Sequence, residues 1–311
     1  MTNPVNHCVL CNSTDIHTID NISVDRLNKV YLKEYDIDIT DDIKTDMTLE
    51  HCKDCDLRFF NPLFTGSQSF YEQLQKFDWY YKSEKFEYTH VNQFQEVRAA
   101  ESLLEIGCGK GVFSDYLTAN YTGLEFSETA VAEAAALGRR VYNKSIEEYS
   151  NNTSSRYDVV CSFQVLEHTE NPRSFIQGCI DCLKPNGTLI ITTPAEDSWI
   201  GYKQDFSLNM PPHHVTRWTD KCYTDLGNLF PVELLSLEHT PLEPFHIPWY
   251  INSWLVHAMN ERLGIKHSVV SSKRHRVQHI ISDTITWMLK ANLPVVYRGL
   301  GDTVIAKYRK L

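Results

Sequence analysis

"LLEIGCGKGVFSDYL", residues 103–117, decides how the rest of the chain is read. A short apolar run leads through an acid, Glu105, into three glycines at alternate positions, Gly107, Gly109 and Gly111. Glycine lets the main chain turn tightly and lets a ligand approach it closely. The stretch therefore reads as strand, glycine turn, helix. In an open α/β sheet such a turn lies at the carboxyl edge of the strands, where ligands bind. The spacing is G-x-G-x-G, whereas dinucleotide binders use G-x-G-x-x-G. A glycine loop also occurs as a plain structural turn, so the flanking elements carry the decision.

Outward from the loop, strands and helices alternate. "YTGLEFS" (121–127) is a short strand ending in a second acid, Glu125, placed where a carboxylate can accept both hydroxyls of a ribose. "YDVVCSFQ" (157–164), "GTLIITTP" (187–194) and the final "DTVIAKYRKL" (302–311) are further apolar strands. Between them lie "ETAVAEAAALG", stopped by Gly138, and a helix that starts behind Asn171 with Pro172 in its first turn. This alternation predicts a doubly wound α/β sheet.

Three ordered segments, "EIGCGKG", "YDVVCSFQVLEHTENP" and "LKPNGTLIITTP", resemble the class I S-adenosylmethionine-dependent methyltransferases, in the branch that acts on quinones and other small molecules. The resemblance covers residues 99–240 and the last strand. It implies a Rossmann-like, doubly wound seven-stranded sheet with S-adenosyl-L-methionine as cofactor. By the same resemblance Glu105, Gly107, Gly109 and Gly111 pack against the methionine part of the cofactor. Glu125, with Phe126 beside it, binds the ribose, and Gln164 touches the cofactor. The Gly-Asp pair usual near adenine is replaced here by Lys144-Ser145, which leaves Ser145 and Ile146 as the adenine candidates. In this branch Glu167 and His168 serve to cap and brace a helix entry. "FQVLEH" stands where methylases of base amino groups carry an Asn/Asp-Pro-Pro-aromatic motif, which argues against that chemistry.

Cys8-x-x-Cys11 and Cys52-x-x-Cys55 form two knuckles whose thiolates suit tetrahedral Zn2+ in a closed structural site. Such a site supports folding and has no open position for catalysis. The surroundings of the second knuckle, "HCKDCDLRFFNPLFTGSQSFYEQL", resemble a zinc-binding prefix found on methyltransferases of glycan and secondary-metabolite pathways. Cys179 and Cys182 share the spacing but fall within a helix and read as buried thiols.

The expected organisation is a four-cysteine zinc-binding module (1–65), an aromatic helical linker or lid (66–98) and a methyltransferase domain (99–311) with a helical insertion at 241–300. In the linker, a packed helix competes with a lid in which Tyr80, Tyr81 or Lys85 closes over the site. In the insertion, Ile251, Trp254, Leu255, Ala258 and Met259 form one stripe, and Val277, Ile280, Ile281, Thr284 and Met288 another. Their expected role is packing on each other or on a second subunit. "KRHR" (273–276) is either a solvated turn or a contact for an anionic acceptor or membrane headgroups.

A net charge of -10 makes nucleic acid an unfavoured partner. No signal pattern or membrane-length apolar run stands out, and nine cysteines without a signal peptide point to a reducing compartment, the cytoplasm.

"NMPPHHVTRWTD" (209–220) follows the fifth strand, with Thr219-Asp220 starting the next helix. The histidines then sit on the rim where an acceptor enters. His214 is the candidate general base, with His213 as its alternate or an acceptor contact; a loop-anchoring pair is the rival. Metal binding is disfavoured because adjacent side chains diverge and no other ligand pair is near in sequence. The expected function is methyl transfer to a hydroxyl or carbon of a small molecule, foremost a sugar or glycan precursor. The alternatives are an RNA-directed methyltransferase gripping RNA with its knuckles and an NAD-dependent Rossmann oxidoreductase.

Overall fold

A computed structural model describes residues 3–77, 85–154, 156–266, 268–271, 276–290 and 300–311. Its eleven strands are β1 (Ile16–Ile22), β2 (Met47–Cys52), β3 (Arg58–Asn61), β4 (Ser102–Ile106), β5 (Asn120–Leu124), β6 (Val141–Tyr142), β7 (Tyr157–Phe163), β8 (Leu183–Pro194), β9 (Thr216–Arg217), β10 (Val232–Pro241) and β11 (Leu300–Lys310). The larger sheet has seven strands in the order β10-β11-β8-β7-β4-β5-β6. β8 through β6 run parallel, and β11 is antiparallel to both β8 and β10. The α/β sheet expected from the alternation is the sheet observed.

Side chains alternate across this sheet, as pleating requires. Leu104, Ile106 and Val160 pack into one core. Leu103, Val159 and Cys161 pack into a second, with Tyr88, Val91 and Phe113. Both faces are buried, which explains why the parallel strands read as unbroken apolar runs.

The N-terminal residues are not a detached module. Cys8, Leu10, Cys52, Cys55, Leu57 and Phe59 belong to the same core as Leu104 and Val160. β9, from the stretch before the helix Asp220–Asp225, completes the smaller sheet β1-β2-β3-β9 by pairing with β3. A strand of two residues carries no periodicity that a sequence can display.

The insertion holds two helices, Ile247–Leu263 and Arg276–Lys290, and the expected packing stripe is corrected. The first helix buries Ile251, Asn252, Ser253, Val256 and Asn260, while Trp254 is exposed. On the second, Gln278, Ser282 and Thr286 are buried and Ile280, Ile281 and Trp287 are exposed. Hydrogen bonds explain the inversion: Asn252 donates to Ser282 and Asp283, and Gln278 donates to Asn260. A polar seam faces inward, so Trp254, Ile280 and Ile281 turn outward, while Ile251 stays buried. The side chains of Val277 and Met288, residues 273–275 of the basic turn, and Tyr80 and Tyr81 lie outside the described residues. Among the described residues no helix is long and apolar enough to cross a membrane.

Candidate active site

The glycine turn follows β4, Glu125 follows β5, Gln164 follows β7, and Pro194 ends β8. All four positions stand at the carboxyl edge of the parallel sheet, where doubly wound folds bind ligands. There the chain encloses a cavity of about 920 Å³.

Gly107, Gly109 and Gly111 have φ of 66°, 54° and 71°, the left-handed region that favours glycine. At Gly107 a Cβ would also lie 2.3 Å from Val165 Cγ2, so the position excludes any side chain twice over. The Gly109 N–H donates to Glu125 Oε2 at 2.8 Å. Glu125 Oε1 accepts from the N–H groups of Phe126 and Ser127 at 2.8 and 2.9 Å. Three backbone donors thus fix the carboxylate, and of about four acceptor positions one is left over. Gly107, Gly109, Glu125, Phe126, Ser145, Ile146 and Gln164 all line the cavity.

Two expected residues stand elsewhere. Glu105 is buried beneath the loop, where it accepts a hydrogen bond from Tyr121, and burial pushes its pKa up to about 8. It braces the loop and does not line the cavity. Gly111 stands against Arg139, Tyr121 and Val141, behind the turn. Gln164, with φ of 59°, is a non-glycine residue held left-handed at the strand end, the kind of local strain that collects at ligand sites. Ser145 caps the helix Ile146–Asn152 by accepting from the Glu148 N–H.

The same cavity is lined by a group that the sequence kept apart. The Val215 N–H donates to the Glu167 carbonyl at 2.9 Å and draws residues 213–215 alongside 167–168. The His213 and His214 rings stack 4.5 Å apart with an interplanar angle of 20°. His168 meets them edge-on at 4.6 and 4.7 Å. The expectation that the adjacent histidines diverge, with no further ligands near, is therefore corrected: the turn stacks them, and pairing of two distant segments supplies the partners. One ring nitrogen from each of the three lies within 4.8 Å of the others.

Each Nδ1 faces an oxygen. His168 Nδ1 lies 2.5 Å from the His213 carbonyl, His213 Nδ1 2.9 Å from the Leu208 carbonyl, and His214 Nδ1 3.2 Å from Asn209 Oδ1. A main-chain carbonyl only accepts, so at His213 the proton sits on Nδ1 and the lone pair on Nε2, and His168 Nδ1 faces the His213 carbonyl in the same way. Glu167 Oε1 lies 3.8 Å from His168 Nε2 and 3.9 Å from His214 Nε2. Its side chain is 1% exposed, and neither oxygen has a hydrogen-bond partner among the described residues. Burial pushes Glu167 up to about 8, and it lowers His168 to about 3 and His213 to about 4. His214 is lowered well below its ordinary value by burial and by the neighbouring histidines.

Two supports escaped the sequence reading. Tyr71, on the helix Gln68–Leu74, packs on His168 and His213. Arg217, buried beside Glu196 and over Phe60, donates to the Asn209 carbonyl at 2.6 Å and so fixes the residue that holds His214. Of the lid candidates, Lys85 lines the cavity.

The four N-terminal cysteines converge as expected. Cys8 and Cys55 sulfurs are 3.6 Å apart, and those of Cys11 and Cys52 3.5 Å. A tetrahedral zinc with Zn–S of about 2.3 Å spaces its sulfurs roughly 3.8 Å apart. The cluster is compatible with that ion. Each knuckle turns through a left-handed residue just past its second cysteine, Asn12 and Asp56, types that tolerate this conformation. Cys179 and Cys182 are buried thiols, as read.

A family profile described as "Methyltransferase domain" matches residues 67–241, more than half of the chain. The ubiquinone biosynthesis O-methyltransferase of Cronobacter sakazakii is 32% identical over 160 residues, covering 47% of this chain and 63% of that protein. The enzyme of the same name from Dechloromonas aromatica is 28% identical over 169 residues, 46% of this chain and 71% of that one. The chain thus spans just under two thirds of the Cronobacter relative's length. Among solved structures, a SAM dependent methyltransferase from Archaeoglobus fulgidus shares the fold, with TM-score 0.51, 15% identity, and 77% of this chain and 100% of that one covered. With its profile match, its sheet order and its glycine loop in agreement, the chain belongs to the methyltransferase-domain family.

Proposed function

We propose that the chain is an S-adenosylmethionine-dependent methyltransferase acting on a hydroxyl of a small molecule. The observation that carries this reading is one cavity shared by the left-handed glycine loop, the backbone-pinned Glu125 and the Glu167–histidine group. The cofactor would supply a methyl group on a sulfonium: the acceptor oxygen donates a pair to the methyl carbon, the C–S pair stays on sulfur, and the hydroxyl proton passes to solvent. Acids on the cavity wall, including Glu87, Glu125, Glu243 and Asp302, suit a cationic sulfonium. Glu125 would take the ribose, Phe126, Ser145 and Ile146 the adenine side, and Gln164 the centre of the cofactor. His213 and His214 border the acceptor side. His214 is the candidate general base and His213 its alternate or an acceptor contact, and burial lowers the basicity of both.

For the acceptor, two lines of support diverge. The relatives' name favours a hydroxyl of a ubiquinone precursor; the four-cysteine prefix favours a sugar or glycan precursor. Methyl-labelled S-adenosylmethionine offered with nucleotide sugars and with catechols separates them, and an absence of cofactor binding by calorimetry would overturn the whole reading. We further infer structural zinc at Cys8, Cys11, Cys52 and Cys55. A reducing compartment such as the cytoplasm would keep these four ligands available as thiolates. The outward stripe of Trp254, Ile280, Ile281 and Trp287 supports self-association through the insertion, read by sedimentation of the stripe variants.

A further inference from the structure

We propose that His168, His213, His214 and Glu167 form a second metal site, separate from the cysteine cluster and open to the cavity, that takes a first-row divalent cation. Three imidazoles and one carboxylate make a donor set suited to Zn2+, Co2+ or Fe2+ more than to Mg2+ or Ca2+, which prefer all-oxygen shells. Four observations carry the assignment.

The first is convergence: one nitrogen from each ring lies within 4.8 Å of the others, and Glu167 Oε1 is 3.8 and 3.9 Å from two Nε2 atoms. An ion with bonds of about 2.0–2.1 Å spaces tetrahedrally placed ligands roughly 3.3 Å apart, so closure by about 0.5–1.5 Å would bring these four donors onto it, and expansion to five-coordination would leave a position for the acceptor. Small rotations of the side chains cover that distance.

The second is the unanswered carboxylate. Glu167 is buried, yet neither oxygen is hydrogen-bonded among the described residues. A buried polar group without a partner costs about 1–3 kcal/mol, more when charged, and a cation between it and the imidazoles would supply the missing interaction.

The third is the outer shell. Metal-binding histidines hand their second N–H to a carbonyl or carboxylate, which fixes the ring and presents the other nitrogen. Here all three Nδ1 atoms face carbonyl-type oxygens, and the Asn209 that holds His214 is itself held by Arg217. The fourth is access. His168, at 21% side-chain exposure, and its three partners all line the cavity, so a coordination position can face the acceptor.

The ion-binding claim stands apart from the methyl-transfer reading; only the use of the ion rests on it. An acceptor hydroxyl held at the ion would ionise near neutral pH, as zinc-bound water does. Its proton would leave to solvent, and the oxygen would be presented to the methyl group.

The test uses the full chain with its cysteine cluster first filled by Zn2+. Co2+ is then titrated and followed by visible absorption, with total metal counted by elemental analysis. The expected result is one additional ion per chain, with weak ligand-field bands and no intense sulfur-to-cobalt band. His214→Ala and Glu167→Gln should each weaken this ion's binding by about tenfold or more, and Asn209→Ala, which removes only the outer-shell contact, by roughly tenfold. Retained S-adenosylmethionine affinity in Glu167→Gln and Asn209→Ala would show these variants folded. A stoichiometry that stays at one ion per chain, or a second ion held equally well by all three variants, overturns the site. Failure of cofactor binding with the second ion retained would overturn the methyltransferase reading and leave the metal site standing.

Discussion

Among the described residues, two clusters of side chains of metal-ligating type stand in opposite relations to solvent. The four cysteines lie in the main hydrophobic core among Leu10, Leu57 and Phe59. The three histidines and Glu167 line the cavity, with a carboxylate that has no hydrogen-bond partner among the described residues. Sulfur ligands sealed in a core have no position to offer a substrate, so their contribution is to folding. Nitrogen and oxygen ligands on a cavity wall are exposed to whatever enters it. The difference teaches that donor type and access, taken together, divide structural from chemical roles more cleanly than the presence of a cluster alone.

The largest effect that tests this division is Cys55→Ala. It removes one of four ligands beside Cys8 in a core that the methyltransferase sheet shares. The loss should exceed about 4 kcal/mol of stability, a magnitude reserved for a few mechanisms including loss of a metal. Thermal unfolding with and without chelator reads it. An unchanged midpoint would remove the cysteines from the structural side of the comparison.

Next comes Gly107→Ala, which acts on the cavity and not on the core. Its φ of 66° and the 2.3 Å approach of Val165 Cγ2 predict strain plus overpacking on the order of 3 kcal/mol. Taken up by the loop, that becomes roughly a hundredfold loss of S-adenosylmethionine affinity by calorimetry. Glu125→Gln keeps the shape but loses the charge, and should cost about tenfold in the same measurement. If either substitution unfolded the chain as Cys55→Ala does, loop and core would be one unit and the division would fail.

How much of this was legible in sequence follows from distance along the chain. The knuckles are local: two residues separate each cysteine pair, and the turn geometry follows from residues as close as Asn12 and Asp56. The parallel strands are legible because both faces are buried, which leaves unbroken runs such as Leu103-Leu104 and Val159-Val160. The histidine cluster is not local. His168 and His213 are 45 residues apart, and what joins them is a backbone hydrogen bond from Val215 to Glu167 that no motif encodes. The inverted helix pair was hidden for a different reason. Apolar periodicity marks a stripe but does not say which way it faces, and there a seam of Asn252, Asn260, Gln278 and Ser282 took the inside.

The smallest effect is at Tyr71, and it asks how firmly the histidine cluster is held from the linker side. The ring packs against Phe70, His168 and His213, at centroid distances of 5.3, 6.0 and 6.1 Å. The hydroxyl donates to the His213 carbonyl across 3.5 Å, near the limit at which a hydrogen bond still counts. Tyr71→Phe keeps every ring contact and removes only that weak bond and an equally weak 3.4 Å contact of the hydroxyl with His168 Nδ1, so stability should fall by less than about 1 kcal/mol. Turnover should change no more than a few fold, because His168 Nδ1 keeps its own 2.5 Å contact with the same carbonyl. A larger loss of turnover with cofactor affinity intact would place the hydroxyl among the groups that meet the acceptor, and would move the linker helix from scaffold to active-site wall.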